Sequence, residues 1–587
     1  MINQITELLN LSKDFQIRKD VSKFKEFLNQ LMGFIITNNN IKNEKLYKFN
    51  LLSIRFLRNL CANVNENQDI IVSNDLFINY LLQELIENSN TTLDNEIENN
   101  RKKNILVALQ QLLINSIVQN ENTQTLLWDH YKLFPNKLFL LINNNRNDCF
   151  KILPTNLMLI YNLILNSKER MKEISRSESE NNNNNNNNIE FIKSILDLIK
   201  DEDNSNDEEY EDTLFHWIHL IFKLLFKNQQ FIEIYKLLST AEEIIEVVPN
   251  TDYDNLPTSG KTTSTASIND IDESIPKTKT KKYYKDGKTN RYQIKLLNLL
   301  DSTINDNEQK NVKEYIENNS IIDIKTCFYM LDELSILYNM DFSRKDLSGE
   351  TQKTTTALNQ FDFDAVFFFI KIFANITTYS DEMVHLQLTK YKTNDKNSAT
   401  QEVDSMSRVL SETNQHDNAI DPSSTDKYDL NTLLRKKGLV GICIGSLHGN
   451  YDGSNTAPPS ETDQDNTNIK TKGFNQSCES EDKGFKKEII RILGNLAHKN
   501  FNNQNEIREL GGIELILNHC RFDIKNPYIK EWSVFAIRNL CEENQENQNV
   551  INNLKMEGIA NQKELNDLGI EVGVENGAVK FKNAPKK

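Results

Sequence analysis

Apolar residues recur at steps of three and four along most of this chain, and the pattern is clearest in Phe485–Ile551. Within it, Trp532, Phe535, Ala536, Asn539 and Leu540 fall on one helical face. Ile529, Ser533 and Ile537 extend that face, and Val534 and Cys541 continue it round the back. Only Glu531, Arg538 and Glu542 remain as a narrow polar strip. A helix apolar over most of its circumference is expected to be buried between neighbours, with Trp532 at the centre of the buried face. Asn526 is a helix-capping residue type and Pro527 fits a first turn, so the helix is predicted to start there. Gly511-Gly512 predicts the break between the two preceding helices.

The same unit occurs more than once. Gly494-Asn495-Leu496-Ala497 leads to Asn503-Gln504, and Arg538-Asn539-Leu540-Cys541, 44 residues later, leads to Asn547-Gln548. Far upstream, Arg58-Asn59-Leu60-Cys61 leads to Asn67-Gln68 without a gap. A period near 44 lies within the roughly 40–47 residues of armadillo and HEAT arrays. The predicted fold class is therefore all-α, an armadillo/HEAT-like α-solenoid.

Taken in order, residues 1–178 read as N-terminal armadillo-like repeats, with helices at Val21–Thr37, Leu46–Val64, Leu76–Ile86, Ile105–Val118 and Leu157–Ile174. Residues 179–212 hold the polyasparagine tract Asn181–Asn188 and an acidic run, Asp201–Asp212, and are expected to be a loop. Helices resume over 213–248. A Thr/Ser/Pro-rich linker over 249–289 carries the basic run Lys277–Lys285, read as a solvated tail, with a nuclear-import or RNA-contacting patch as the alternative. Divergent helical repeats occupy 290–447, with polar insertions at 343–356 and 392–427. A further insertion spans 448–483, and 484–587 forms the C-terminal armadillo domain. Near its end Val572, Val574 and Val579 flank Asn576-Gly577, the strongest short signal for a β-hairpin.

Bulk properties narrow the function. At 587 residues the chain exceeds one ordinary core, and its net charge of −16 disfavours a dedicated nucleic-acid binder. Seven cysteines show no C-x-x-C spacing and point to a reducing compartment. The N-terminal residues lack a signal-peptide pattern, and Ala365–Ile376 is too short to span a bilayer, so a cytosolic protein without membrane insertion is expected.

No catalytic, metal or cofactor constellation emerges. His216 and His219 lack the H-E-x-x-H frame, and Gly349–Thr355 lacks the Gly-Lys pair of a phosphate loop. In importin-type armadillo proteins an Asn at the place of Asn59, Asn495 and Asn539 lines a peptide groove with a Trp four residues earlier. Here Arg55, Arg491 and Phe535 stand in the Trp position, so these amides are expected to satisfy backbone groups instead. The window Arg508–Ile513, Asn526–Trp532, Ala536–Leu540 and Glu546–Gln548 resembles the C-terminal domain of the ataxin-10 family. That resemblance implies a non-enzymatic protein-interaction scaffold, self-association, signalling-protein partners, and a part in cytokinesis and cell survival. An importin-like transport adaptor, or an unrecognised enzyme in the divergent middle, are the alternatives. The candidate partner-binding strip is Arg58, Glu531, Arg538 and Glu542. The structural repeat positions are Asn59, Leu60, Gln68, Asn495, Leu496, Gln504, Gly511, Gly512, Pro527, Trp532, Asn539, Leu540 and Gln548.

Overall fold

The structure is a computed structural model. It describes residues 1–87, 93, 95–146, 152–176, 186–200, 208–239, 247–248, 279–280, 289–305, 322–342, 360–378, 430–449, 484–554, 570–575 and 578–583. Among the described residues the chain is all-helical apart from two short strand pairs, and it divides into two units: Met1–Tyr329 with Glu350–Phe368, and Met330–Gly349 with Phe369–Lys587.

The first unit contains α1 (Ile2–Leu11), α2 (Phe15–Val21), α3 (Lys25–Thr37), α4 (Glu44–Cys61), α5 (Asn65–Val72), α6 (Asp75–Glu87), α7 (Glu96–Asn115), α8 (Glu121–Thr125) and α9 (Leu138–Asn143). It continues through α10 (Leu153–Ile164), α11 (Lys168–Ser175), α12 (Asn186–Leu196), α13 (Glu208–Lys227), α14 (Phe231–Ser239) and α15 (Arg291–Asn305). Every third helix packs on its counterpart in the next repeat. Thus α1, α4, α7, α10 and α13 form one layer, α3, α6, α9 and α12 a second, and α2, α5 and α8 a third. Three helices per repeat, stacked on neighbouring repeats, is the armadillo form of an α-solenoid.

The core of this layer follows the three-and-four pattern. In α4, Ile54, Leu57, Leu60 and Cys61 are fully buried, and Asn43 caps the start by accepting from the amides of Lys45 and Leu46. Each leucine so buried contributes about 1.5–3 kcal/mol.

Several boundaries differ from the sequence reading. Val21–Thr37 is two helices broken at Ser22–Phe24, and Leu157–Ile174 is broken where Ser167 caps α11. Helix α7 begins at Glu96, nine residues ahead of the start read at Ile105. Asn186–Asn188 open α12 rather than closing a loop, and the Asn188 amide donates to the carbonyls of Glu173 and Arg176. Glu208–Asp212 likewise belong to α13, and Val247–Val248 (β1) pairs antiparallel with Lys279–Thr280 (β2). The insertions expected at 343–356 and 392–427, most of 448–483 and of the linker, and Asn181–Asn185 lie outside the described residues.

Two helices, α16 (Ile324–Phe342) and α17 (Gln360–Thr378), contribute residues to both units. The second unit adds α18 (Leu430–Lys436), α19 (Leu439–Gly449), α20 (Phe485–Ala497), α21 (Phe501–Glu509), α22 (Gly512–Asn518), α23 (Ile529–Cys541) and α24 (Gln545–Asn553). Gly438, at φ +94°, separates α18 from α19, while Gly441 sits inside α19. Gly511, at φ +76°, opens α22; at Gly512 a Cβ would meet the Ile507 side chain at 2.6 Å. The C-terminal hairpin is present: β3 (Ile570–Glu575) pairs with β4 (Ala578–Asn583), with Glu575 opposite Ala578.

Candidate functional site

The repeated RNLC…NQ signature proves to be a device for closing helix ends. After α4, α7, α20 and α23 the chain turns through a left-handed residue: Asn63, Gln119, Lys499 and Glu543, with φ between +49° and +60°. An N-cap residue follows immediately. Asn120, Asn500 and Asn544 each accept from the amide three residues on. The first turn of the new helix then reaches back seven residues to the orphan carbonyls of the old one. Asn67 donates to Leu60 and Gln68 to Cys61. Asn503 and Gln504 donate to Leu496 and Ala497, and Asn547 and Gln548 to Leu540 and Cys541. Gln124 reaches Ile117 in the same way, and the buried Arg170 takes the Asn role by donating to Leu163 at 2.6 Å.

The same glutamines join successive repeats. Gln68 Nε2 also donates to the carbonyls of Asn115 and Val118, and Gln504 Nε2 to those of Asn539 and Glu542. The signature asparagines point the other way, into the preceding repeat. Asn59 donates to Ser12 Oγ, Asn115 to the Arg58 carbonyl, and Asn539 to the Gly494 carbonyl at 2.9 Å. Asn495 donates to the Ala374 carbonyl and to the hydroxyls of Thr377 and Thr378. Every signature amide is thus committed to a neighbouring repeat, and Leu60, Leu496 and Leu540 beside them are fully buried.

Helix α23 is not buried all round. It packs on α20 so closely that a Cβ at Gly494 would lie 3.1 Å from the Ala536 Cα and Cβ. Ile529, Ser533, Ala536, Asn539 and Leu540 are buried against neighbours. Trp532, read as the centre of the core, is only half-buried. Its ring lies under the Arg491 guanidinium at 5.6 Å and edge-on to Phe535 at 5.7 Å. Val534 is 56% exposed and Phe535 38%, so the strip holding Glu531, Arg538 and Glu542 is a mixed apolar and charged face rather than a narrow polar one. In α20 the position 44 residues before Val534 is Ile490, which is fully buried. The reason is position in the array: α20 is covered by α23, whereas no described helix covers α23. Asn526 and Pro527 precede the helix instead of starting it. Asn526 is buried, accepting from the Lys487 amide and donating to Asp523, while left-handed Tyr528 is the N-cap.

Arg58 does not resemble Arg538. Arg58 is half-buried under α7 and donates to Gln111 Oε1 at 2.6 Å and to Asn59 Oδ1. Burial, then the nearby charge of Arg55, holds its pKa below the ordinary arginine value. Arg538 is exposed with no hydrogen bond or ion pair among the described residues, and Glu542 stands 4.0 Å from the His498 ring. Arg58 belongs to the first unit and the other three strip residues to the second. Burial, reinforced by Lys486 and Arg521, drives His519 down to about 4, and burial pushes the Cys61 and Cys443 thiols up.

Among the described residues no three His, Cys, Asp or Glu side chains gather to hold a metal ion, and no helix is long and apolar enough to cross a membrane. His219 bonds Thr303 Oγ1 at 3.2 Å. The positions that sequence reasoning missed are Asn115 and Arg55. The first lacks the RNLC context, and the second was weighed only as an absent Trp.

Comparison with known proteins accords with this architecture. Residues 485–582 match the family model described as the spinocerebellar ataxia type 10 protein domain. An ataxin-10 homolog of Dictyostelium discoideum is 56% identical over an alignment that spans 100% of this chain and 94% of that protein. Ataxin-10 of Xenopus tropicalis is 40% identical over 18% of this chain and 21% of its own length, and the human protein 44% over 15% and 19%. The long match extends through both units, and the family model covers the repeat pair from α20 to α24 and the β-hairpin that follows: the chain belongs to the ataxin-10 family.

Proposed function

We propose that this protein is a non-enzymatic interaction scaffold of the ataxin-10 type that docks partner proteins, a second copy of itself among them, on the open face of α23. The observation that carries the reading is the exposure of Val534 and Phe535 beside unpaired Arg538, at positions whose counterparts one repeat earlier are covered by a helix. Aromatic and arginine side chains are enriched at interfaces and among the residues that carry most of the binding energy. The family resemblance attaches such docking to cytokinesis, cell survival and a cytosolic location. An importin-like transport role lacks its groove amides here, since Asn59, Asn495 and Asn539 are spent on neighbouring repeats.

The test is Phe535→Glu in the full chain, read by sedimentation velocity and by co-purification from dividing cells. The reading expects loss of self-association or of captured partners, with hydrogen-exchange protection of α23 retained. Disruption of the gene is expected to give multinucleate cells. Unchanged assembly and capture by Phe535→Glu, or normal division in a clean null, would overturn it.

A further inference from the structure

The layer α1, α4, α7, α10 and α13 presents a second surface, chemically unlike α23. Arg55 and Arg58 lie one helical turn apart on α4, both half-buried. Arg58 uses three of its five N–H groups on the neutral amide oxygens of Gln111 and Asn59, leaving one on each terminal nitrogen, and Arg55 has no hydrogen bond or ion pair among the described residues. Glu7 of α1, the helix packed on the other side of α4, makes no ion pair with either. Two guanidinium groups held close together without a carboxylate cost free energy, and in a chain of net charge −16 acidic residues to neutralise them are abundant. Further along the layer, Tyr161 of α10 sits six residues before an N-cap, as Arg58 does. It packs edge-on against Trp217 of α13 at 5.8 Å, both rings half-buried.

We infer that this face of the first unit binds an extended segment of a partner protein carrying carboxylate side chains. Arg55 and Arg58 form charge-assisted bonds to the carboxylates, and the Tyr161–Trp217 pair takes an apolar or aromatic residue two repeats away. Arginine suits the role because its planar fork meets a carboxylate with two parallel bonds. The inference rests on the scaffold reading but uses a different unit and a different chemistry from the α23 face.

The probe is a fluorescein-labelled dodecapeptide alternating Glu and Tyr, with its Gln/Tyr counterpart as control, titrated by anisotropy against the full chain. The acidic peptide is expected to bind at least tenfold tighter than the neutral one, and to weaken as salt rises, because exposed charges are screened. Arg55→Glu, at a side chain that makes no hydrogen bond or ion pair among the described residues, is expected to reduce binding tenfold or more with an unchanged melting temperature. Arg55→Lys should retain most of it. Phe535→Glu should leave it intact, so failure here and failure of the α23 docking reading are separable. Equal binding of the two peptides, or full binding by Arg55→Glu, would overturn the inference.

Discussion

Gln504 and Gln548 occupy the same place in the repeat, yet only one has a repeat beyond it among the described residues. Gln504 is 2% exposed; its Nε2 serves the carbonyls of Ala497, Asn539 and Glu542 at 3.2, 2.9 and 3.2 Å, and its Oε1 accepts from Asn544. Gln504→Ala strands two helix C-termini and one buried amide. A net loss of about 1 kcal/mol per bond, with part of the burial penalty added for groups left unpaired, gives about 3–4 kcal/mol. Gln548 makes one such bond, to Cys541 at 2.8 Å, and is half-buried, so Gln548→Ala is expected to cost about 1 kcal/mol. Hydrogen exchange with mass spectrometry on the full chain reads this locally. Opening free energies of the amides in Phe485–Ala497 and Ile529–Cys541 should fall by the larger amount only in Gln504→Ala. Equal losses in the two variants would refute the claim that this glutamine couples repeats rather than merely sealing its own helix.

The remaining expectations are smaller. Trp532→Ala should cost about 2 kcal/mol, below the roughly 3–5 of a fully buried tryptophan, since the side chain is only half-buried; a loss above 4 would restore it to the core. Glu543→Gly relieves a left-handed non-glycine and should gain about 0.5 kcal/mol in urea unfolding, where a loss would deny that the backbone strain matters. His519 has a folded pKa near 4, below its unfolded value, so its contribution is complete above about pH 6.5 and drains away as pH falls towards 4. At roughly 1.4 kcal/mol per unit that is about 3 kcal/mol, and His519→Gln should flatten the stability profile across that window.

Much of the fold was readable from spacing. The 44-residue echo located α20 and α23, and the Val-Asn-Gly pattern located the β3–β4 hairpin, because both depend on local periodicity and turn chemistry. What was misread depended on neighbours. Trp532 is the largest side chain of its helix, and the apolar face traced by the three-and-four spacing placed it inward. Whether it is buried depends on a further helix covering α23, and a helical wheel carries no information about what lies beyond the element. Arg58 and Arg538 share four residues of motif but differ in surroundings, since α7 covers one and no described helix covers the other. Of the asparagines expected to satisfy backbone groups, Asn495 and Asn539 reach carbonyls of the preceding repeat, whereas Asn59 donates to the Ser12 hydroxyl instead.

The seven-residue reach of Asn547 and Gln548 back to Leu540 and Cys541 also bears on how this chain can change length over evolution. One codon added between Cys541 and Asn547 would rotate α24 by about 100° and carry both amides away from their carbonyls. The connections sealed this way hold only three residues after α4, α20 and α23. By contrast 51 residues separate α17 from α18, where no Asn-Gln pair reaches back among the described residues, and an asparagine homopolymer runs from the α11–α12 connection into the start of α12. Insertions and slippage of repetitive codons are therefore filtered by the backbone chemistry of the turn, so that growth of the gene accumulates at unsealed joints while the sealed ones keep their count.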